Sequence, residues 1–347
     1  MMALRRAKVR PPEPPCPVVF RWDLDKTYLK SEFESLRELM RIPFEKPQDK
    51  VAVPGVVPLI RGLREVANDA GREIRIYFIS ASPPQIGKAI KEKLALDGIQ
   101  YDGITFKNQL QHIVRGRFRN LREQVGYKLT ELLKSRLAMP PASREVLFGD
   151  DWESDPIIYS LYADVLCDRL APDELGGILK TIGVDPRLIA EAQELALAGA
   201  RGDVVARIYI NLERRTPPVS FRFFGPRLLP TFNYFQTAAC LFEDGYLTLP
   251  AVARVADNLV NEWGYTGGAL ANSLADILRR GHLQQSTAIA VRAYLHARGL
   301  MPPVRRRWRD TWWVRLRGWL RRTPTAQPAP ADVINYQTLV AEWRAAR

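Results

Sequence analysis

Two acidic clusters in the sequence each directly follow a short apolar run. The first is DLDKT at residues 23–27, which carries Asp23 and Asp25. The second is GDDWESD at residues 149–155, which carries Asp150, Asp151 and Asp155. Carboxylates at positions i and i+2 of a strand face the same side, where they repel each other unless a cation or a proton intervenes. Hard divalent cations prefer carboxylate and carbonyl oxygens, so the two clusters predict a magnesium site.

Two residues of a different character complete the set of candidates. Ser80 follows an apolar run and offers a hydroxyl group, and Lys128 lies in a helical pattern and offers a fixed cation. Each candidate also has a plain structural interpretation: Ser80 could begin a turn, Lys128 could lie at the surface, and Asp155 before Pro156 could cap a helix. The chemical interpretation therefore requires that these residues converge in the fold, with Gly149 allowing a sharp turn before Asp150.

The elements that must position these residues predict an α/β fold. Strands are expected at residues 18–22, 74–79, 104–106, 145–148 and 165–167, and helices at residues 32–41, 56–70, 85–96, 127–137 and 155–162. Strands that alternate with helices of this length favour right-handed crossovers and a mainly parallel sheet. Functional groups in such sheets gather at the carboxyl ends of the strands, which is where the acidic clusters and Ser80 are expected.

The length of 347 residues predicts about two domains. The expected organisation is a basic, proline-rich leader at 1–15, an α/β domain at 16–170, an all-helical domain at 171–322, and a linker with a C-terminal helix at 323–347. Helical patterns in the second half are expected at residues 203–214, 232–242, 249–263, 269–280, 287–298 and 331–346.

Composition narrows the functional classes. An apolar content of 46% with 26% charged residues is typical of a globular protein and not of a disordered one. The three cysteines, Cys16, Cys167 and Cys240, are scattered, so they predict no disulfide framework or zinc site and favour a cytoplasmic location. No run approaches about 18 apolar residues. The net charge of +13 predicts attraction to phosphorylated substrates, acidic membranes or nucleic acid.

The candidates, taken in chain order, resemble the motifs of the haloacid dehalogenase superfamily. The stretch 23–27 resembles its first motif, Ser80 its second, Lys128 its third, and Asp150 with Asp155 its fourth. Within the superfamily, residues 16–170 are similar to the catalytic domain of the actin-patch phosphatidate phosphatases, because SASP at 80–83 resembles their SNSP and the DPIIY at 155–159 resembles their DPEIY. The sequence departs from that pattern at Lys26, Pro84, Tyr127, Asp151 and Trp152, where the family usually or often has an acid, tryptophan, histidine, serine and glycine.

This resemblance implies a three-layer, Rossmann-like parallel sheet without a large cap domain and a magnesium-dependent phosphatase activity. It implies that Asp23 is the nucleophile, which forms an aspartyl-phosphate, and that Asp25 is the general acid and base. The implied magnesium ligands are Asp23, the main-chain carbonyl of Asp25, and Asp150, with Asp151 or Asp155 acting through water. The implied phosphate-binding residues are Thr27, Ser80, Ala81 and Lys128.

The expected substrate is a bulky phosphomonoester. The gaps at residues 27–80 and 97–128 are too short to hold a large cap besides their expected helices, and an open site suits a large substrate. A phosphatidate-like lipid is the leading prediction. The alternatives are a polynucleotide or phosphoprotein phosphatase, and a regulatory scaffold protein with a vestigial phosphatase domain.

A basic segment at residues 304–322 contains eight arginines, one acidic residue and four of the eight tryptophans. Its apolar residues recur at helical spacing, which predicts an amphipathic helix. Three roles are open, in this order of preference: packing against the chain's own helices, binding an anionic membrane surface, and binding nucleic acid. The second role would make the protein peripheral to the membrane.

Overall fold

The computed structural model describes residues 17–30, 50–69, 71–80, 87–106, 117–152, 154–199, 201–303 and 333–345. These residues form a six-stranded parallel sheet with helices on both faces, followed by further helices. The predicted three-layer α/β fold with C-terminal helices is confirmed. The leader, the helix expected at 32–41, Ala81, the basic segment at 304–322 and the linker at 323–330 lie outside the described residues.

All neighbouring strands pair in parallel, in the order β3-β2-β1-β4-β5-β6. The strands are β1 (Val18–Asp23), β2 (Ile74–Ser80), β3 (Gly103–Phe106), β4 (Arg144–Asp150), β5 (Val205–Asn211) and β6 (Leu228–Thr231). The chain winds outward from β1 in one direction and from β4 in the other. Loops that diverge from such a central pair of strands leave a crevice at the carboxyl end of the sheet.

Eleven helices are described besides a short 3-10 helix at Pro218–Phe224. Those before β5 are α1 (Val56–Asp69), α2 (Gly87–Leu96), α3 (Arg117–Leu137), α4 (Asp155–Leu166), α5 (Pro172–Ile182) and α6 (Pro186–Ala198). Those after β6 are α7 (Tyr234–Glu243), α8 (Leu249–Asn261), α9 (Gly267–Arg279), α10 (Gln285–Ala297) and α11 (Tyr336–Ala345).

Side chains alternate between the two faces of the sheet, as strand geometry requires. On β1, Phe20 and Trp22 enter the core beneath α1, α2 and α7–α10, and the Trp22 ring stacks on Phe148 with centroids 3.7 Å apart. The other core lies beneath α3–α6 and α11. By the same alternation, Arg21 and Asp23 face this second layer. Asp23 is therefore placed towards α3 and α4.

The sheet continues beyond residue 170, because β5 pairs with β4 and β6 pairs with β5. The helix expected at 203–214 is wrong, since these residues contain β5. Apolar side chains of β5 enter both cores, so the alternation that would indicate a strand is weak. The strand expected at 165–167 is also wrong. Helix α4 runs to Leu166 and is buried on every side, which a three-residue apolar run cannot reveal.

The remaining expected helices of the second half are confirmed, with bounds that shift by a few residues at one end or both. Helices α7–α10 pack on the face that carries Phe20 and Trp22, and α11 packs on the other face. Within the described residues, no helix is both long enough and apolar enough to cross a membrane. The domain boundaries at 170/171 and 322/323 stay predictions.

Candidate active site

A buried lysine joins two of the predicted aspartates. Lys128 Nζ lies 2.6 Å from Asp23 Oδ1 and 2.8 Å from Asp155 Oδ1, and all three side chains are fully buried. Asp23 ends β1, Lys128 projects from α3, and Asp155 opens α4. Charged groups at this depth are stable only when they are paired and hydrogen-bonded. The ammonium group therefore fixes the position of both carboxylates.

Three carboxylates converge beside this lysine. One oxygen from each of Asp23, Asp150 and Asp155 lies within 4.8 Å of the others, and the three residues are buried. Together with the Lys128 ammonium, three ionised carboxylates carry a net charge of −2. A divalent cation would compensate that charge, and the oxygen donors are those that hard cations prefer. The donor set and its charge therefore fit a metal ion.

Gly149 makes this convergence possible. A Cβ atom on Gly149 would lie 2.5 Å from Asp155 Oδ2 and 2.8 Å from Tyr159 Cε2. Gly149 lies within β4, so its role is to allow α4 to approach the strand closely and not to allow the sharp turn that the sequence suggested. The approach lets Asp155 Oδ2 accept a hydrogen bond from the Asp150 backbone at 3.3 Å.

Asp155 does not act as the helix cap considered from the sequence. The cap position of α4 is Ser154, which makes no side-chain capping bond, and the Asp155 carboxylate is directed to Lys128 instead. Tyr159, one turn later, donates to the Phe148 carbonyl at 3.1 Å. Burial, with the nearby charges of Asp155 and Asp23, raises the pKa of Tyr159 well above its ordinary value. The Tyr159 side chain is therefore uncharged and adds no charge beside the carboxylates.

Asp25 and Ser80 form a second pair at the same edge of the sheet. Ser80 Oγ donates to Asp25 Oδ2 at 2.9 Å. Strand β1 ends at Asp23, so strand alternation does not place Asp25 as the sequence argument assumed. A turn at residues 26–28 follows instead. Asp25 is partly exposed, whereas Ser80 is buried, so this hydrogen bond joins a buried residue to one that solvent reaches.

Thr27 lies between the carboxylates. Its hydroxyl is 3.5 Å from Asp23 Oδ2 and 3.4 Å from Asp150 Oδ2, which is longer than a normal hydroxyl hydrogen bond. The Thr27 carbonyl accepts a bond from Tyr234 of α7 at 2.6 Å. Tyr234 is a supporting residue that sequence reasoning missed, because an aromatic residue on an amphipathic helix normally indicates only core packing.

Asp151 is directed away from the carboxylate cluster. Its Oδ1 accepts a hydrogen bond from the Arg214 backbone at 2.9 Å, and its Oδ2 accepts one from the Thr216 backbone at 3.1 Å. Asp151 therefore fixes the loop after β5. The sequence suggested Asp151 as a metal ligand acting through water. The loop that Asp151 holds could not be foreseen, because β5 was not recognised as a strand.

Two residues that depart from the family pattern contact each other. The Lys26 ammonium lies 3.6 Å from the centre of the Trp152 ring. The Arg214 guanidinium lies 4.8 Å from the same ring centre. The Trp152 backbone also donates to Asp150 Oδ1 at 2.6 Å, which ties this aromatic group to the carboxylate cluster.

The geometry thus brings Asp23, Asp150, Asp155 and Lys128 together, with Thr27 beside them and the Asp25–Ser80 pair at the same edge. Residues 22–171 match the family model described as phosphatidate phosphatase APP1, catalytic domain. No curated protein matches the chain. The match spans all of these residues and ends before β5, β6 and the helices that follow. Residues 22–171 are therefore similar to the APP1 phosphatidate phosphatase catalytic domain.

Proposed function

We propose that this protein is a magnesium-dependent phosphomonoesterase of the haloacid dehalogenase type, with Asp23 as nucleophile and a phosphatidate-like lipid as substrate. The observation that carries the proposal is the contact of one buried lysine with Asp23 and Asp155, beside Asp150. Phosphoryl transfer needs a positioned nucleophile and neutralised oxygens, and this arrangement offers both.

The carboxylates of Asp23, Asp150 and Asp155 would hold Mg²⁺, with the Asp25 main-chain carbonyl as a further ligand by resemblance. When bound, the ion would neutralise charge on the phosphoryl oxygens. The Lys128 ammonium would act on the same oxygens from a fixed position and would keep the Asp23 carboxylate oriented. Ser80 and Thr27 are hydroxyl donors at the same edge and would complete the phosphate cradle.

In the first step, a carboxylate oxygen of Asp23 bonds to phosphorus while the ester oxygen leaves, and Asp25 gives that oxygen a proton. In the second step, Asp25 takes a proton from water, the water oxygen bonds to phosphorus, and the Asp23 carboxylate is released with phosphate. Ser80 donates to Asp25 in the free protein, so its hydroxyl is positioned to transfer this bond to the incoming phosphoryl group.

The test is a phosphatase assay of the full chain in Mg²⁺, repeated in EDTA and with Asp23→Asn. We expect turnover that EDTA abolishes and that Asp23→Asn lowers at least about a hundredfold. Asp173→Asn is the matched control, since Asp173 is exposed in the first turn of α5. Activity that survives Asp23→Asn would refute the assignment of the nucleophile.

The metal ligands can be separated by a second pair of variants. Asp150→Asn should raise the Mg²⁺ concentration needed for half-maximal activity by roughly tenfold or more. Asp151→Asn should change it little, because both Asp151 oxygens accept backbone hydrogen bonds. Equal weakening of Mg²⁺ activation by both variants would show that Asp151 contributes to the metal site.

Substrate class is decided by assays at matched salt, because electrostatic binding to nucleic acid depends strongly on salt. We expect hydrolysis of phosphatidate in mixed micelles to exceed that of a 5′-phosphorylated oligonucleotide or a phosphopeptide. Faster turnover of either rival would favour the corresponding alternative. Absence of turnover with all three in Mg²⁺ would favour the regulatory scaffold.

A further inference from the structure

A cationic rim, formed by Lys26, Trp152 and Arg214, lies beside the carboxylate cluster. The indole ring is partly exposed and has an ammonium group 3.6 Å and a guanidinium group 4.8 Å from its centre. Cations are attracted to the face of an indole at such distances. The ring thus holds two positive groups at the surface, where a ligand can reach them.

Short links connect the rim to the catalytic residues. Lys26 follows Asp25 directly in the chain and precedes Thr27. The Trp152 backbone donates to Asp150 at 2.6 Å. A group bound at the rim would therefore lie beside a phosphoryl group held at Asp23.

The backbone that carries the rim cations is held in place by contacts within the protein. Asp151 accepts hydrogen bonds from the backbone on both sides of Arg215, whose φ is 56°, and Lys26 has a φ of 59°. Left-handed backbone at residues with side chains is strained, and it occurs preferentially at ligand-binding sites where other contacts hold it. A preformed arrangement of this kind loses little conformational freedom on binding.

The local charge favours an anion. The two rim cations, with Lys30 and Arg215, outnumber the acids Asp25, Asp151 and Glu213 that lie near them outside the carboxylate cluster. Asp25 accepts a hydrogen bond from Ser80, and Glu213 accepts one from Asn211 at 2.8 Å.

We propose that, within the proposed class of lipid substrates, the cationic rim selects those whose leaving group carries a second anionic group, which phosphatidate itself lacks. The inference rests on the proposed function for the position of the first phosphate. A charge-assisted contact to the rim should favour a substrate with a second phosphate by roughly tenfold. The rim would then act as a specificity determinant and would take no part in bond breaking.

The test compares propane-1,3-diylbisphosphonic acid with propylphosphonic acid, two probes that cannot be hydrolysed. Calorimetric binding to the full chain in Mg²⁺ should show roughly tenfold tighter binding of the bisphosphonate, beyond the factor of two from its two equivalent ends. Arg214→Gln and Lys26→Met should each reduce that ratio several-fold. Arg72→Gln is the matched control, since Arg72 is exposed before β2 at the opposite end of the sheet.

Equal affinity for the two probes, or a ratio that survives both rim variants, would overturn the rim proposal. The proposed function is tested separately by turnover of 3-hydroxypropyl phosphate in Mg²⁺, which needs no contact with the rim. A tenfold binding ratio without turnover of any phosphomonoester would leave the rim supported and the phosphatase refuted. Turnover with equal probe affinities would support the phosphatase and refute the rim.

Discussion

The most constrained residue of the site is Lys128, whose charge is buried completely. It contacts Asp23 and Asp155 at 2.6 and 2.8 Å, and a buried ammonium group requires partners of opposite charge. Removing one partner from a buried ionic group leaves the others uncompensated, which is more destabilising than losing a surface pair. Lys128 therefore contributes to both the stability of the fold and the position of the nucleophile.

Lys128→Met should lower the free energy of unfolding by about 3–5 kcal/mol in EDTA. Mg²⁺ should recover more of that loss in the variant than it adds to the wild type, because the ion would compensate the carboxylates left without the ammonium. Denaturant unfolding with and without Mg²⁺ measures both effects. Lys134→Met on the same helix is the control and should cost less than about 1 kcal/mol, since Lys134 is largely exposed and pairs with Glu131 and Glu191 at the surface. Equal losses of stability in Lys128→Met and Lys134→Met would contradict the claim that the buried ion pairs of Lys128 stabilise the fold.

At this scale, the types and order of the residues indicate the chemistry of the site, but they do not show which side chains contact each other. Asp23, Asp150, Asp155 and Lys128 were identified because their types and their order along the chain match one family pattern. The different positions of Asp150, which lies in the carboxylate cluster, and Asp151, which holds a loop, could not be predicted, since adjacent carboxylates look alike in a sequence. Only the loop after β5 shows why Asp151 accepts two backbone bonds.

At the scale of elements, the contact between β4 and α4 decides how closely the acidic residues can converge. The strand has no side chain at Gly149, and α4 uses that gap to bring Asp155 against the Asp150 backbone. A glycine that serves a close approach differs physically from one that serves a turn, because only the first is sensitive to the size of a side chain at ordinary φ.

Gly149→Ala should therefore destabilise the protein by about 1–3 kcal/mol and lower turnover, because the new methyl group displaces the start of α4. Gly177→Ala is a sharp control, since Gly177 lies within α5 with no atom within 4 Å of the added Cβ. That variant should be stabilised by about 0.5–1 kcal/mol through its higher helix propensity. Thermal denaturation of both proteins gives the comparison, and a harmless Gly149→Ala would disprove the close-approach role.

Helix α7 links the later helices to the site through the Tyr234 hydroxyl and the Thr27 carbonyl. Tyr234→Phe should cost about 0.5–1.5 kcal/mol of stability and should lower turnover several-fold, because the turn that carries Thr27 loses its anchor. Tyr209→Phe is the matched control: the Tyr209 hydroxyl is buried and has no hydrogen-bond partner among the described residues. Its removal should be neutral or stabilising. Denaturant unfolding and turnover are measured for both variants. Turnover that is unchanged in Tyr234→Phe would show that Tyr234 only packs in the core and does not anchor the turn.

At the scale of the whole molecule, the parallel sheet was predictable and its extent was not. The four strands from β1 to β4 alternate with helices, so their parallel pairing follows from the pattern. Strand β5 is apolar towards both cores, and β6 is a four-residue edge strand that contains Pro230, which donates no backbone bond. Neither carries the alternation by which strands are found, and so the second half was expected to be helical throughout.

The later helices also give the whole protein an acid-sensitive position. His282 follows α9, and burial lowers its pKa to about 4 from an ordinary value of 6.5, with the Arg280 and Arg207 charges adding to the effect and Asp276 opposing it. A depressed pKa means that the unfolded chain takes up a proton more readily than the folded one. The neutral imidazole therefore contributes stability that is fully present above about pH 6.5 and is lost as pH falls towards 4.

His282→Gln should remove this part of the acid response. The free energy of unfolding of the wild type should fall by up to about 3 kcal/mol more than that of the variant between pH 7 and pH 4. Using the difference between the two proteins cancels the titration of the carboxylates that both share. His296→Gln, the same substitution at an exposed position of α10, is the matched control variant, and its unfolding curve should still differ from that of His282→Gln. Parallel curves for His282→Gln and wild type would show that His282 is accommodated in its charged form, and that the packing between α9 and its neighbours is looser than the structure indicates.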